Sequence, residues 1–564
     1  MTFSTSVAPL RYAPFRSLWL ASVASNAGTF VQTVAASWLM QELTGSPLWV
    51  AAMAASGTLP LLFLALPAGA LADILDRRKV MLASQVVMGI AATVMAALAF
   101  LELLNPPLLL GLGLLLGVGV AFNLPAWQAM VPDLVPRELV ANAVALNSVA
   151  FNVARAVGPA LGGLLVAAAG AGWAFLINSL SFLAVIVAVA RLHWSEPAEP
   201  EVSSVASAIG LGVRYARFTP PFRRLLAVAA MFALTSGVVQ SLLATLTAES
   251  LDAGAFAYGA LLGAMGAGAL LGAFTRGAAA ERLAERHVGV AVATFGLAGI
   301  AVGLSPGVWL AGVALFIAGI AWVWTLATLN ATVQLLVPAW VRGRAASLYT
   351  LAFVGVLPLG ALLAGSIGSA FGTPVAYVVL GTGTVVLGLV IPTLHLPHLG
   401  SVVTPEPPED WVVPEHADYV EGGPVMVLNT WVIDQSDLAE FLELMNEVRQ
   451  VRLRTGAYRW RLYRNAEDPH RMTEVFLLAS GEDHLRQHRR IDATGADLIR
   501  TARAFDRAQG PVGRHLVAID VDDPADRPDW DQLVAVHLAL HEADDAVQLE
   551  DAPEASVPRG ATQK

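Results

Sequence analysis

Apolar residues run in long blocks over the first 395 positions, and short polar breaks separate the blocks. A helix needs about 20 such residues to cross the hydrocarbon core of a bilayer. Twelve blocks reach that length: residues 16–41, 47–72, 80–103, 107–130, 142–168, 173–192, 223–248, 255–276, 287–305, 308–336, 345–370 and 373–395. We number them spans 1 to 12. The thinnest breaks are Ser305-Pro306-Gly307, between spans 9 and 10, and Gly170 to Gly172, between spans 5 and 6. The opening residues Met1 to Pro14 hold no apolar core followed by a small-residue cleavage site. Span 1 therefore reads as a retained membrane helix rather than a signal peptide. The pattern predicts an all-α membrane body.

Past residue 395 the pattern changes. Residues 396–423 are rich in Pro and Glu, as in Thr404-Pro-Glu-Pro-Pro-Glu-Asp410, and read as a linker. Residues 424–520 then read as a soluble domain. Val425 to Ile433 predicts a strand, and Ser436 to Arg454 an amphipathic helix with Leu438, Phe441, Leu442, Met445 and Val448 on one face. Ala457 to Arg464 and Arg471 to Ala479 predict a hairpin, Glu482 to Arg507 a second helix, and Arg514 to Ile519 a last strand. That βαββαβ succession predicts an α+β ferredoxin-like sandwich. Residues 521–564 read as an acidic, largely disordered tail with a short helix at 530–542.

Charge sharpens this division. Residues 1–395 carry 17 Lys/Arg and 13 Asp/Glu, whereas residues 396–564 carry 17 and 31. The acidity of the chain therefore belongs to its C-terminal part. In the membrane part the basic residues alternate from loop to loop. Arg11 and Arg16 precede span 1, and Arg77, Arg78 and Lys79 follow span 2. Arg137 follows span 4, five arginines lie in or beside the loop between spans 6 and 7, and Arg276, Arg282 and Arg286 follow span 8. Arg342 and Arg344 follow span 10. The opposite loops contain Glu42, Glu102, Glu249 and Asp252 but no Lys or Arg. Basic loops stay on the cytoplasmic side, so both termini are expected in the cytoplasm.

The loop 193–222 divides two bundles, 1–192 and 223–395. A weak repeat supports the division. Gln128-Ala-Met-Val-Pro132 with Arg137 returns as Gln334-Leu-Leu-Val-Pro338 with Arg342, and Gly158-Pro159-Ala-Leu-Gly162 is echoed by Leu357-Pro358-Leu-Gly360. Repeated halves around a midplane site are a common plan among secondary transporters.

Several segments carry candidate chemistry. Gly69-Ala-Leu-Ala-Asp73-Ile-Leu-Asp76-Arg77-Arg78-Lys79 resembles the major facilitator signature Gly-x-x-x-Asp-x-x-Gly-Arg-Arg/Lys, with Asp76 at the usual second Gly. An acid at a helix end there bonds to backbone donors and to Arg, and could latch two halves together. Gly69, Asp73, Asp76, Arg77 and Arg78 are therefore gating candidates. Gly158, Pro159, Gly162 and Gly163 in span 5 resemble the Gly-Pro-x-x-Gly-Gly run of superfamily exporters. Small residues there permit close helix packing, and Pro bends the helix.

Arg155 is the one charge well inside a predicted span, and an intramembrane charge is a functional candidate by default. It suits an anionic substrate group, a proton-sensitive partner, or a structural role at helix carbonyls. Asn26, Gln32, Asn123, Gln128, Asn152, Gln240, Asn330 and Gln334 are further substrate or coupling candidates, with Trp127, Trp322 and Trp324 as aromatic walls. So few hydrogen-bonding groups suit an amphipathic substrate better than a sugar. There is no cysteine and no Gly-x4-Gly-Lys-Ser/Thr run, so disulfides, thiolate metal sites and ATP drive are not indicated.

In the soluble domain the distinctive runs are Gly456-Ala-Tyr458-Arg-Trp460-Arg-Leu-Tyr463-Arg and His484-Leu-Arg-Gln-His488-Arg. Together with the membrane part, over about residues 5–520, they resemble the bacterial transmembrane secretion effector family. This is a major facilitator branch related to the enterobactin exporter. Its longer members end in a cytoplasmic domain similar to antibiotic-biosynthesis monooxygenases. That branch tends to carry Asp-Arg-Arg where Asp76-Arg77-Arg78 stands, and commonly has Ser-Trp where Ser480-Gly481 stands.

The resemblance implies a twelve-helix carrier of the inner membrane. It would export a siderophore-like or drug-like amphipathic molecule by alternating access, coupled to protons. Import of a nutrient on the same fold, or a membrane-anchored enzyme, are the alternatives. Trp460, Tyr463, His484 and His488 are the soluble-domain candidates, read as a binding, regulatory or dimerising surface rather than a catalytic one. No catalytic residue, metal, cofactor or nucleic-acid partner is expected. The expected partners are a small-molecule substrate, protons and the lipid bilayer, with dimerisation through the C-terminal domain.

Overall fold

A computed structural model of the protein describes residues 7–192, 205–338, 340–394, 396, 424–507 and 512–518. The expected linker, Leu396 apart, and the tail 521–564 lie outside the described residues. The chain divides into two compact units, Met1–Thr404 and Pro405–Lys564.

The first unit is helical. Spans 1, 3, 4, 5 and 6 are the helices Ala13–Thr44, Arg77–Phe100, Pro106–Met130, Val140–Ala169 and Ala171–Ala190. Spans 8, 9, 10 and 12 are Ala255–Leu283, His287–Gly303, Val308–Leu336 and Thr373–Val390. The other three are interrupted. Span 2 breaks between Pro47–Ser56 and Leu59–Ile74. Span 7 runs as Pro220–Ser236, two short pieces and a π-helical turn Leu246–Ser250. Span 11 joins Arg342–Thr350 to Leu357–Phe371 through a π-helical turn, Leu351–Gly355. Such interruptions recur at functional sites, because they free backbone groups and turn side chains.

Ten described stretches are long and apolar enough to cross a membrane, and one of them, Ala255–Gly303, holds spans 8 and 9 together. Ala13–Thr44 is not among the ten; Asn26, Gln32 and its many Ser and Thr residues lower its mean hydropathy. Large apolar side chains such as Leu20, Phe63, Ile90, Val149, Leu183, Leu297 and Leu389 stand exposed along the spans. A soluble protein would not leave that surface bare, whereas hydrocarbon covers it.

The expectation for the middle of the chain needs correction. The central loop 193–222 is not wholly a loop, since it contains the helix Val205–Phe218. Leu211 and Tyr215, one turn apart, are buried, and Tyr215 meets Phe222 and Trp340 edge-on or tilted at 5.7 and 5.8 Å. This apolar stripe docks the helix on its neighbours, and Thr219-Pro220-Pro221 ends it.

Small residues set the packing, and they set it in the same way in both halves. In span 5, a Cβ on Gly158 would lie 2.6 Å from Phe30, and one on Gly162 would lie 3.1 Å from the Val31 backbone, both in span 1. A Cβ on Gly163 would lie 2.6 Å from the Cα of Gly259, in span 8 of the other half. Span 11 repeats this arrangement. Gly360 abuts the carbonyls of Ala233 and Leu234 in span 7, while Gly365 abuts Ala51 and Leu48 in span 2 of the other half. Both spans end at a glycine with positive φ, Gly170 at 87° and Gly372 at 94°, where a side chain would be strained. The sequence echo between the halves is thus a structural one.

In the second unit the strands β1 (Val425–Val432), β2 (Arg459–Arg464), β3 (Arg471–Leu478) and β4 (Val512–Val517) form one antiparallel sheet, ordered β2-β3-β1-β4. The helix Leu438–Thr455 lies between β1 and β2 in sequence, and two helices lie between β3 and β4. The expected single helix from Glu482 to Arg507 is therefore two, Gly481–Arg490 and Ala493–Ala504. Asp492 breaks it: its carboxylate accepts from Gly495 N–H and pairs with Arg454 at 3.0 Å, which starts a new helix. Leu442, placed on the apolar face from sequence, is exposed. The buried stripe is Phe441, Met445, Val448 and Arg452, and Leu442 sits 100° round from it.

A polar cluster lies inside that unit. Glu474 is fully buried, and its carboxylate accepts from Arg452 Nε at 3.2 Å, Trp460 Nε1 at 2.9 Å and Asn429 Nδ2 at 2.7 Å. The Arg452 guanidinium lies 4.6 Å over the Phe476 ring. Beside it, His484 meets His488 and His515 at 4.8 Å between ring centres. Burial, then the neighbouring imidazoles and Arg452, push His484 down to about 2. Burial and Arg452 foremost push His488 down to about 4.

Removing one partner of a buried ion pair strands the other and costs about 3–5 kcal/mol. Arg452→Met should lose that much in urea unfolding of a fragment spanning residues 424–520. Arg452→Met with Glu474→Gln should recover more than half, because no charge is left stranded.

The histidines set a pH dependence of known sign. The unfolded chain takes up protons near pH 6.5 that the folded unit refuses, so stability is full above that value and falls towards pH 4. Between pH 6.5 and 5 ordinary carboxylates, near 4, contribute little. The urea midpoint should therefore fall across this window, and His484→Phe should flatten the slope.

Candidate functional site

Between the two halves of the first unit lies a cavity of about 210 Å³. Spans 1, 2 and 5 wall it from one half, and spans 7, 8, 10 and 11 from the other. Phe30, Tyr258 and Trp322 provide aromatic surface, and Thr33, Ser37, Thr58, Ser236, Gln240 and Ser241 provide polar groups. Among the described residues Arg155 is the only charged one of the lining. Its guanidinium carbon lies 5.5 Å from the centre of the Trp322 ring. Trp322 in turn is held by Phe232, Phe295 and Phe353 at 5.5–5.6 Å. The platform under the charge is therefore rigid, and a cation over an indole face is attracted by its quadrupole.

One turn after Arg155, Pro159 also lines the cavity. The interrupted spans reach the cavity at their breaks: Ser236-Gly237 and Gln240-Ser241 in span 7, Thr58 in span 2, Leu357-Pro358 in span 11. The local irregularity and the lining coincide.

The halves are joined at the end that bears the loops without Lys or Arg. Gln41 donates to Glu249 at 3.3 Å and accepts from Thr245 Oγ1 at 2.8 Å, and Leu48 N–H donates to Ser369 Oγ at 3.1 Å. The Gly163–Gly259 and Gly365–Ala51 approaches lie towards the same end.

The sequence candidates divide accordingly. Arg155 and Gln240 line the cavity. The other seven polar candidates do not. Gln32 is buried in its own half, where it accepts from Asn178 and donates to Met95 Sδ. Asn123 accepts from Gln85 at 3.1 Å, Asn152 donates back to Ser148 carbonyl, and Asn26 donates to Ser22 Oγ. Gln128, Asn330 and Gln334 are exposed. Of these three tryptophans Trp322 lines the cavity; Trp324 donates to Thr275, and Trp127 packs against the core cluster of Leu18, Met81, Met130 and Val189 in its own half.

In the motif loop, Asp76 is the N-cap of span 3: its carboxylate accepts from Arg78 N–H at 2.9 Å and pairs with Lys79. Arg78 donates to the carbonyls of Val189 and Ala190, at the end of span 6 in the same half. In this conformation, then, Asp76 and Arg78 hold one half together rather than latching two. Gly69 and Asp73 belong to the last turns of Leu59–Ile74, and their side-chain surroundings lie outside the described part of the structure.

In the second unit, Trp460 donates to Glu474 and His484 is buried beside His488, while Tyr463 is exposed on β2. Sequence reading missed Ser236, Ser241 and Tyr258. The one available signal was Ser236-Gly237 in the middle of an apolar span.

Comparison with known proteins agrees with this geometry. The profile of the family described as transmembrane secretion effector matches residues 4–522. The multidrug efflux pump Tap of Mycolicibacterium fortuitum is 27% identical over 405 residues, which cover 68% of this chain and 96% of that one. Macrolide efflux protein A of Streptococcus pyogenes is 26% identical over 151 residues, 27% of this chain and 37% of the other.

Two solved structures share the fold of the first unit. One is a bacterial homolog to the human lysosomal transporter Spinster, in an inward-facing and unoccupied conformation. It has a TM-score of 0.54 and 19% identity, covering 69% of this chain and 96% of that one. The other is the nucleoside transporter NupG, with a TM-score of 0.56 and 14% identity, covering 68% and 100%. With a family match over nearly its whole length, two helical halves around one cavity, and efflux pumps among its relatives, the chain belongs to the transmembrane secretion effector family of major facilitator transporters, and is a multi-span membrane transporter rather than an enzyme.

Proposed function

We propose that the protein is a secondary active exporter of the inner membrane that moves a small amphipathic molecule outward by alternating access, driven by the proton gradient. The observation that carries this reading is a cavity walled by both halves, with the hydrogen bonds between the halves gathered towards one end. Rocking the halves about spans 5 and 8 and spans 2 and 11 would open that end and close the other. The joined end is the one without basic residues, so on the charge rule it faces outward, and both termini face the cytoplasm. The open state at the basic end would then be the loading state. Export is supported by the efflux pumps among the relatives, and a drug-like or siderophore-like substrate suits the aromatic lining.

In this scheme Asp73, with Arg77 and Gly69, acts when the basic end closes. The cap by Asp76 and the clamp of Arg78 on span 6 present that loop as one rigid piece. We read the second unit as ferredoxin-like, on its strand order and on a βαββαβ succession whose second helix is broken in two, and assign it a binding or dimerising role.

The chain has no cysteine, so a pair can be introduced cleanly. A Cβ on Gly368 would lie 3.0 Å from that of Pro47, about half an ångström short of disulfide spacing. In Pro47→Cys with Gly368→Cys, oxidation should slow substrate uptake into inverted vesicles at least tenfold, and reduction should restore it. The single variants should not respond. Full transport by the cross-linked protein would rule out rocking at that end.

A further inference from the structure

The cavity has an unbalanced set of polar groups. Arg155 makes no ion pair and no hydrogen bond among the described residues; its partner is the Trp322 ring. A guanidinium offers five donors and no acceptor. In a low-dielectric interior an uncompensated charge is costly, and the ring face offsets only part of that cost. Ser236 and Ser241 are 1% and 3% exposed, and neither hydroxyl has a partner among the described residues. Both wall the same cavity, and a turn about χ1 would bring each to an acceptor on a ligand. Buried polar groups are normally paired, so unpaired ones beside a cavity point to what fills it.

The lining contains no Asp or Glu among the described residues. A cationic ligand would meet Arg155 as a like charge with nothing to balance either. An anionic oxygen would supply the missing acceptor and the missing charge together, through a charge-assisted bond. The remaining wall is apolar and aromatic, with Phe30, Tyr258 and Trp322 offering flat faces.

We propose that the cavity selects an amphipathic organic anion. Its acidic oxygen, a carboxylate or phenolate, binds Arg155 and the Ser236 and Ser241 hydroxyls, and its ring system lies against Trp322 and Phe30. This inference rests on the transport reading and names the substrate class of the same site.

Fluorescein and rhodamine 123 share a tricyclic xanthene core and differ in the sign of their charge, so they separate charge from shape. Fluorescence anisotropy with the purified full-length protein should give at least tenfold tighter binding for fluorescein. Arg155→Gln should remove that preference by weakening fluorescein at least tenfold while leaving rhodamine 123 unchanged or tighter. Ser236→Ala with Ser241→Ala, a change too small to unfold a span, should weaken fluorescein several-fold and rhodamine 123 not at all.

Rhodamine 123 binding as tightly as fluorescein to the unaltered protein would overturn the proposal, and so would undiminished fluorescein binding in Arg155→Gln. Uptake by inverted vesicles separates this from the export reading. Fluorescein bound through Arg155 but never accumulated would support the anion site and remove export. Preferential accumulation of rhodamine 123 would retain export and remove the anion site.

Discussion

Helices from the two halves approach so closely at several places that no side chain fits between them, and the first unit is organised around those approaches. At Gly163–Gly259 an added Cβ would come within 2.6 Å of the facing Cα, and at Gly365–Ala51 within 2.6 Å of the facing Cβ. Between lipid-immersed helices the hydrophobic effect supplies no net attraction, so association depends on dispersion at short range and on a few polar bonds. Such bonds average about 0.6 kcal/mol each in a membrane. The joint is therefore tight in geometry but shallow in energy. Gln41 with Glu249 and Thr245, and Leu48 with Ser369, add polar contacts to the joint. A contact built this way can be broken and re-formed, as a carrier requires.

The cavity follows from the same arrangement. Span 5 places Gly158 and Gly162 on span 1, Gly163 on span 8, and Arg155 and Pro159 on the space left between the halves. Trp322, the guanidinium's one partner among the described residues, is itself fixed among three phenylalanines. The charge is thus carried by a helix whose packing also joins the halves. Occupation of the cavity and movement of the halves are coupled through one element, and a ligand shifts such an equilibrium only as far as it binds the two states differently.

Much of this was legible along the chain, because bilayer thickness and the placement of arginines act on sequence directly. The spans, the two halves and the glycine run of span 5 are one-dimensional signals. The rotation of each span is not. Gln32, Asn123 and Asn152 were reasonable cavity candidates by depth, yet each turns to a partner in its own half. Spans apolar on all sides carry no stripe from which a facing side can be read.

Of the breaks at Gly57-Thr58 and Gly237, which bring Thr58 and Ser236 to the cavity, only the second carries a sequence signal, Ser236-Gly237 within an apolar span. Asp76 matched a family motif, but its cap on span 3 is a local bond that the motif does not express. In the second unit the order of strands and helices could be read from alternation, apart from the break at Asp492. The Glu474 cluster could not, because it joins β1, β2, β3 and a helix through contacts that only the folded register creates.

The central claim is that the end joined here separates during the working cycle. Spin labels on cysteines introduced at Leu48 and Phe371, exposed residues of opposite halves at that end, would report the separation by electron paramagnetic resonance in liposomes. The account predicts two distance populations, a short one matching the present structure and a longer one, with a ratio that changes with the proton gradient or with ligand. A single short distance under every condition would contradict it.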